Sequence, residues 1–141
     1  MTAASQLKTI LLVDDDEDDA KLHLFAFQQY NLPYKLVVVH DGIEALEYLT
    51  GTGVHVGRDP SQRPALVLLD LNMPRLNGFE TLEKIRAHPV LNDLPVAILT
   101  SSQDSQDQER ALRLAAKAFL HKPTIKESEQ FVRQVEGLLS D

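Results

Sequence analysis

Four places in this chain put chemically capable side chains directly behind an apolar run. Asp14 and Asp15 follow KTILLV at residues 8–13, and Asp70 closes ALVLLD at 65–70. Thr100 ends PVAILT at 95–100 and is followed by Ser101, while Lys122 follows AFLH, which begins at 118. Short apolar runs bounded by polar residues read as strands buried on both faces. In a parallel sheet every strand C-terminus lies at one edge, so three carboxylates, a hydroxyl and an ammonium should converge there. Packed carboxylates repel one another, and a hard divalent cation with oxygen ligands, Mg²⁺ or Mn²⁺, relieves that repulsion. A metal, a lysine and a hydroxyl around one carboxylate could balance the charge of a transferring phosphoryl group. An aspartate can itself be the nucleophile in such a transfer. The constellation alone does not choose which carboxylate that is.

The elements that must position these groups alternate in type. Residues 8–13 form a first strand, and residues 16–30 a helix with Ala20, Leu24 and Phe27 at helical spacing, stopped by Asn31 and Pro33. KLVVVH at 35–40 is a second strand. Asp41-Gly42 turns the chain into a helix whose stripe is Ala45, Leu46 and Leu49. Residues 51–64, GTGVHVGRDPSQRP, read as an extended loop, long for this class. The third strand is 65–70. A helix beginning near Gly78 carries Phe79, Leu82 and Ile85. The fourth strand, 95–100, leads to a helix over 104–116, a short fifth strand from 118, and a last helix over 126–139 with Phe131, Val135, Leu138 and Leu139 on one side. Five strand–helix units predict an α/β fold, a flavodoxin-like doubly wound parallel sheet of order 2-1-3-4-5 with helices on both faces.

Composition narrows the function classes. A length of 141 residues with 43% apolar and 25% charged content fits one globular domain. The net charge of −7 opposes binding to nucleic-acid backbones or anionic membranes. There is no cysteine, so thiolate metal sites and disulfides are excluded. No apolar run approaches the ~20 residues of a membrane span. The N-terminus MTAASQLKT lacks signal-peptide features, and the cytoplasm is the expected compartment.

Over nearly its full length the chain resembles the receiver domains of two-component signalling. The resemblance is carried by ILLVDDDEDD at 10–19, LVLLDLNMPRLNG at 66–78, ILTSS at 98–102 and FLHKP at 119–123. It implies a phosphoprotein that takes its phosphoryl group on Asp70 from a sensor histidine kinase. It also implies a divalent metal held by Asp14, Asp15, Asp70 and the backbone carbonyl of Asn72, with Asp15 the more direct ligand of the acid pair. The switch hydroxyl falls on Thr100, the phosphoryl-binding lysine on Lys122 and the switch aromatic on Phe119, with Ser101 as the small residue beside the phosphoryl group. The resemblance further implies a cis peptide at Pro123. The expected absence of an output domain, the 51–64 loop and the segments DGIEALEYL and DLNMPRLNG resemble the small receivers that partner cyanobacterial and bacterial phytochrome kinases. That implies signalling through protein contacts and a homodimer built on the fourth helix, fifth strand and fifth helix. Apolar residues there outside the core stripe, Leu112 with Leu114 and Phe131 with Val132, would suit such a contact.

Blander readings apply to some of these residues. Asp16–Asp19 is expected to be a helix start, with Asp16 as N-cap. The same run mimics an EF-hand loop, but Asp19 replaces the turn glycine and Phe25 the bidentate glutamate. His23, His40, His55, His88 and His121 show no ligand spacing. Among other functions, an aspartyl-phosphate phosphatase would want a second acid two residues past the nucleophile, where Asn72 stands. An FMN carrier would want a hydroxyl- and glycine-rich loop where DDDEDD stands. A degenerate receiver scaffold would lack site residues that are all present here.

Overall fold

The computed structural model describes residues 8–73, 75–101 and 104–139; Pro74 and Ser102 of the motif segments and the chain ends lie outside it. Five strands, β1 (Thr9–Val13), β2 (Lys35–Val39), β3 (Leu66–Asp70), β4 (Val96–Thr100) and β5 (Ala118–His121), form one parallel sheet. Their order is β2-β1-β3-β4-β5, as the alternation of elements predicts. The helices are α1 (Glu17–Gln29), α2 (Gly42–Thr50), α3 (Gly78–Ala87), α4 (Ser105–Arg113) and α5 (Ser128–Leu139).

Strand alternation divides the core into two layers. Ile10, Leu12, Leu66, Leu68, Ala97 and Leu99 pack with α1 and α5. Leu11, Val13, Val67, Leu69, Val96 and Ile98 pack with α2, α3 and α4. One further step along this alternation assigns Asp14, Asp70 and Lys122 to the α1–α5 side. The same step assigns Thr100 to the α2–α4 side, with Phe119 already packed there. The parity of the sequence thus decides which polar groups can meet.

Helix starts follow local chemistry. Asp16 caps α1, its Oδ1 accepting from the backbone N–H of Asp18 at 2.9 Å and of Asp19 at 3.2 Å. Asn77 and Glu80 form a reciprocal capping box on α3. Gly51 ends α2 at φ +68°, where a Cβ would lie 2.3 Å from the Arg58 carbonyl oxygen. The loop after it is ordered by side chains. It contains a 3₁₀ turn at Gly53–His55. The Arg58 guanidinium lies 3.8 Å over the Tyr48 ring and donates to the Tyr48 carbonyl at 2.6 Å and to that of Gln62. His55 Nε2 sits 3.0 Å from Glu44 Oε2.

Three expectations fail. In α1 the buried positions are Ala20, His23, Ala26 and Phe27, whereas Leu24 is over a third exposed. The helix is rotated so that His23 packs 5.2 Å from the Phe131 ring, and spacing alone could not choose between the two adjacent positions. Phe131 and Val132 are both fully buried, because α5 covers the sheet with a wide apolar face. They are unavailable for an external contact, and of the named residues only Leu112, 73% exposed, protrudes. Finally, there is no cis peptide among the described residues, so the Lys122–Pro123 bond is trans. Trans is the lower-energy isomer by ~0.5–1 kcal/mol before Pro, and Lys122 reaches the site without the cis form.

Candidate functional site

The strand C-termini bring the acid pair, Asp70 and Lys122 together, and strand parity aims Asp14, Asp70 and Lys122 at one another. Asp14, directly after β1, and Asp70, the last residue of β3, are buried, while Asp15 is exposed. Each of the three offers a carboxylate oxygen within 4.8 Å of the other two. Lys122 Nζ lies 3.1 Å from Asp70 Oδ2 and 3.8 Å from Asp14 Oδ2. The backbone fixes the carboxylates: Asp16 N–H donates to Asp14 Oδ1 at 2.9 Å, and Asn72 N–H donates to Asp70 Oδ1 at 3.2 Å.

The remaining residues take outer places. Thr100 is buried at the end of β4, and its carbonyl accepts the Lys122 backbone N–H at 2.9 Å, so the hydroxyl-bearing and lysine-bearing strand ends are tied together. Ser101 follows on the surface. Phe119 pairs with Ile98 in the sheet and is half-buried in the layer that includes Ala111 of α4 and Leu114 just past it. It is set back from the carboxylates, one strand over from Thr100.

Sequence alone misses one residue of the site. Asp19 reads as part of a helix start, yet it places Oδ2 3.1 Å from Lys122 Nζ. A signal for it exists. Asp19 stands in the first turn of α1, one position before the buried Ala20, and the turn sits over the sheet edge where Lys122 arrives.

The electrostatics describe a crowded anionic pocket. Burial pushes the Asp14 carboxyl up to about 6; the Asp16 N–H and Lys122 pull it back only in part. Burial also raises Asp70, against the opposing pull of Lys122 and the Asn72 N–H. For Lys122, burial is the largest single influence and acts downward, but the carboxylates of Asp70, Asp14 and Asp19 outweigh it and hold the ammonium above its ordinary value.

This donor set fits a hard divalent cation. Asp14 Oδ2 is buried and accepts no hydrogen bond. An acceptor in that position costs free energy unless a cation faces it. Asp15 and Asp70 add oxygen ligands beside it, and the exposed Asp15 leaves a side open to water, the arrangement Mg²⁺ and Mn²⁺ prefer.

Comparison with known proteins identifies the family. The family model of the response regulator receiver domain matches residues 10–135. The response regulator Rcp1 of a Synechocystis species is 32% identical over 133 residues, covering 94% of this chain and 87% of Rcp1. The crystal structure of the phosphorylated cyanobacterial phytochrome response regulator RcpA superposes with a TM-score of 0.84 at 32% identity, covering 96% of this chain and 95% of RcpA. The Mn²⁺-bound form of Rcp1 gives 0.81 at 31% identity, with 92% of each chain covered. Sequence and topology coincide: the chain belongs to the response-regulator receiver domain family of two-component signalling.

Proposed function

We propose that Asp70 is the phosphoacceptor and that its donor is a sensor histidine kinase of the phytochrome type. The observation that carries this is the position of Asp70: buried at a strand end, 3.1 Å from Lys122 Nζ and within 4.8 Å of the acid pair. Asp70 Oδ2 is the oxygen facing the lysine. Attack of a carboxylate oxygen on the phosphohistidine phosphorus forms a P–O bond as the P–N bond breaks, and the imidazole takes the leaving electron pair. Asp14, Asp15, Asp70 and the Asn72 carbonyl would hold Mg²⁺ or Mn²⁺, which neutralises charge on the phosphoryl oxygens.

The chain's own residues supply the rest. Lys122 would pair with a phosphoryl oxygen once Asp70 is converted to the acyl phosphate. The Asn72 N–H keeps Asp70 oriented. Thr100 would hydrogen-bond the phosphoryl group, with Ser101 leaving space for it. Movement of Thr100 would free room toward Phe119, so the altered surface is that of α4, β5 and α5. A homodimer through this face is the proposed output, in the cytoplasm. With Phe131 and Val132 buried, its contacts would be largely polar: Arg110 pairs with Glu83 at 3.3 Å and Arg133 with Glu136 at 3.3 Å on its exposed rim. The likeness to phytochrome response regulators supports the choice of kinase.

The test is phosphotransfer from an autophosphorylated phytochrome kinase. One hydroxylamine-sensitive phosphoryl group per chain is expected, lost in Asp70→Asn and in excess chelator. Labelling of Asp70→Asn at the wild-type rate would refute the assignment. Sedimentation with and without beryllofluoride tests the dimer, and a monomer in both states removes it.

A further inference from the structure

The loop joining β3 to α3 carries Asn72, whose carbonyl is the one backbone ligand in the proposed metal site. Its position relative to Asp70 depends on what holds the loop. Arg75, within that loop, donates through Nε at 2.9 Å and Nη2 at 2.5 Å to Asp41 Oδ2. The other oxygen of the same carboxylate, Asp41 Oδ1, accepts the Glu44 backbone N–H at 2.8 Å and so caps α2. One aspartate therefore ties the loop to a helix end.

Two glycines show how closely the parts press together. A Cβ on Gly42 would lie 1.9 Å from Thr81 Oγ1 and 2.9 Å from the Leu76 carbonyl oxygen, so the start of α2 packs directly on the loop and on α3. A Cβ on Gly78 would lie 2.4 Å from the Asp70 carbonyl oxygen, and Gly78 N–H donates to the Leu71 carbonyl at 3.0 Å. The far end of the loop is thus folded against the backbone of Asp70 itself. Between these ends Arg75 adopts φ +65°, a left-handed conformation that a non-glycine residue keeps only when its surroundings impose it. At that residue the side chain is held by the forked contact with Asp41.

We propose that the Asp41–Arg75 pair is a positioning clamp that fixes the Asn72 carbonyl relative to Asp70 and thereby sets the affinity of the site for its divalent metal. The proposal rests on the metal reading given above. Neither residue touches the metal; both act through the loop. The Arg75 side chain is 57% exposed, so the pair contributes little to overall stability. Outer-shell partners of metal ligands nonetheless change affinity strongly, because they orient the donor atoms.

The two effects separate in experiment. Mn²⁺ affinity is measured by the paramagnetic resonance of the free ion, and stability by urea unfolding in chelator. The proteins are the wild type, Asp41→Asn, Arg75→Gly and Arg75→Lys. Asparagine still caps α2, and glycine relieves the left-handed backbone. Arg75→Gly should keep or raise the unfolding midpoint in chelator and Asp41→Asn should lower it only slightly, while Mn²⁺ affinity falls roughly 10-fold in both. Lysine, a point charge without a fork, should fall between them and the wild type. Affinity within about twofold of wild type in both Asp41→Asn and Arg75→Gly, against the size expected of such partners, overturns the clamp. So does a loss of affinity that only tracks a loss of stability. If the wild type itself binds no Mn²⁺, the metal reading falls first and the clamp with it, an outcome distinct from equal binding by all four proteins.

Discussion

Asp14→Asn should stabilise the metal-free protein at neutral pH, although it removes a residue of the functional site. The Asp14 carboxyl is fully buried, one oxygen accepts no hydrogen bond, and burial lifts its pKa from 3.8 to about 6. Because the folded pKa lies above the unfolded one, the folded state binds the proton more tightly. The penalty is small below about pH 4, grows as pH rises through the folded value, and is complete above it. Two units correspond to roughly 2–3 kcal/mol at pH 7.5, and the same linkage leaves about 1 kcal/mol at pH 4.5. Asparagine has nearly the shape of the neutral acid and should recover that amount. Lys122 keeps Asp70 and Asp19, each at 3.1 Å, so losing its 3.8 Å contact with Asp14 costs less. The assay is urea unfolding in chelator at both pH values, repeated at pH 7.5 with saturating Mg²⁺. The wild type should gain on adding metal and the variant much less, since only a state that binds the ion is stabilised by it. Destabilisation by Asp14→Asn in chelator at pH 7.5, or an equal gain at both pH values, would refute the reasoning.

Three more substitutions probe the same geometry. Lys122→Ala leaves three carboxylates without their shared cation; in chelator it should destabilise by on the order of 3 kcal/mol, and Mn²⁺ titration should show tighter binding because Nζ no longer competes. His23 is buried with neither ring nitrogen bonded, and burial holds its pKa down to about 4. Its folded pKa lies below the unfolded 6.5, so stability falls as pH drops from about 6.5 toward 4. His23→Leu should flatten that slope, worth about 2 kcal/mol at pH 5, and an unchanged pH profile would show that His23 is not the group responsible. Arg86 donates to the carbonyls of Asn92, Leu94, Leu114 and Ala115, joining the end of α3 to the end of α4. Arg86→Ala should cost on the order of 3 kcal/mol, seen as a lower urea midpoint at unchanged slope.

Much of this molecule is legible in its sequence. Buried parallel strands are continuous apolar runs, so β1, β3 and β4 announce themselves, and each run ends on, or one residue before, a residue of the site. The twofold period of a strand then carries Asp14, Asp70 and Lys122 to one side and Thr100 with Phe119 to the other. Caps are equally local: Asp16, Asp41 and Asn77 each bond a backbone N–H within three residues. Short-range geometry of this kind is readable without a fold.

Other features were decided by contacts between distant residues. Whether His23 or Leu24 faces inward depends on where α5 sets the Phe131 ring, since a helix can rotate by a fraction of a turn without changing its apolar spacing. Asp19 became a partner of Lys122 only when the first turn of α1 met the end of β5, 103 residues away in sequence. The Asp41–Arg75 pair likewise spans 34 residues, and its aspartate reads only as part of a turn until the β3–α3 loop arrives. The isomer before Pro123 rests on an energy difference of ~0.5–1 kcal/mol, small enough for the surroundings of Lys122 to decide it. Sequence determined which groups reach the sheet edge, because strand period and strand ends are local; tertiary packing decided which of them touch, because that depends on how helices and loops settle against the sheet.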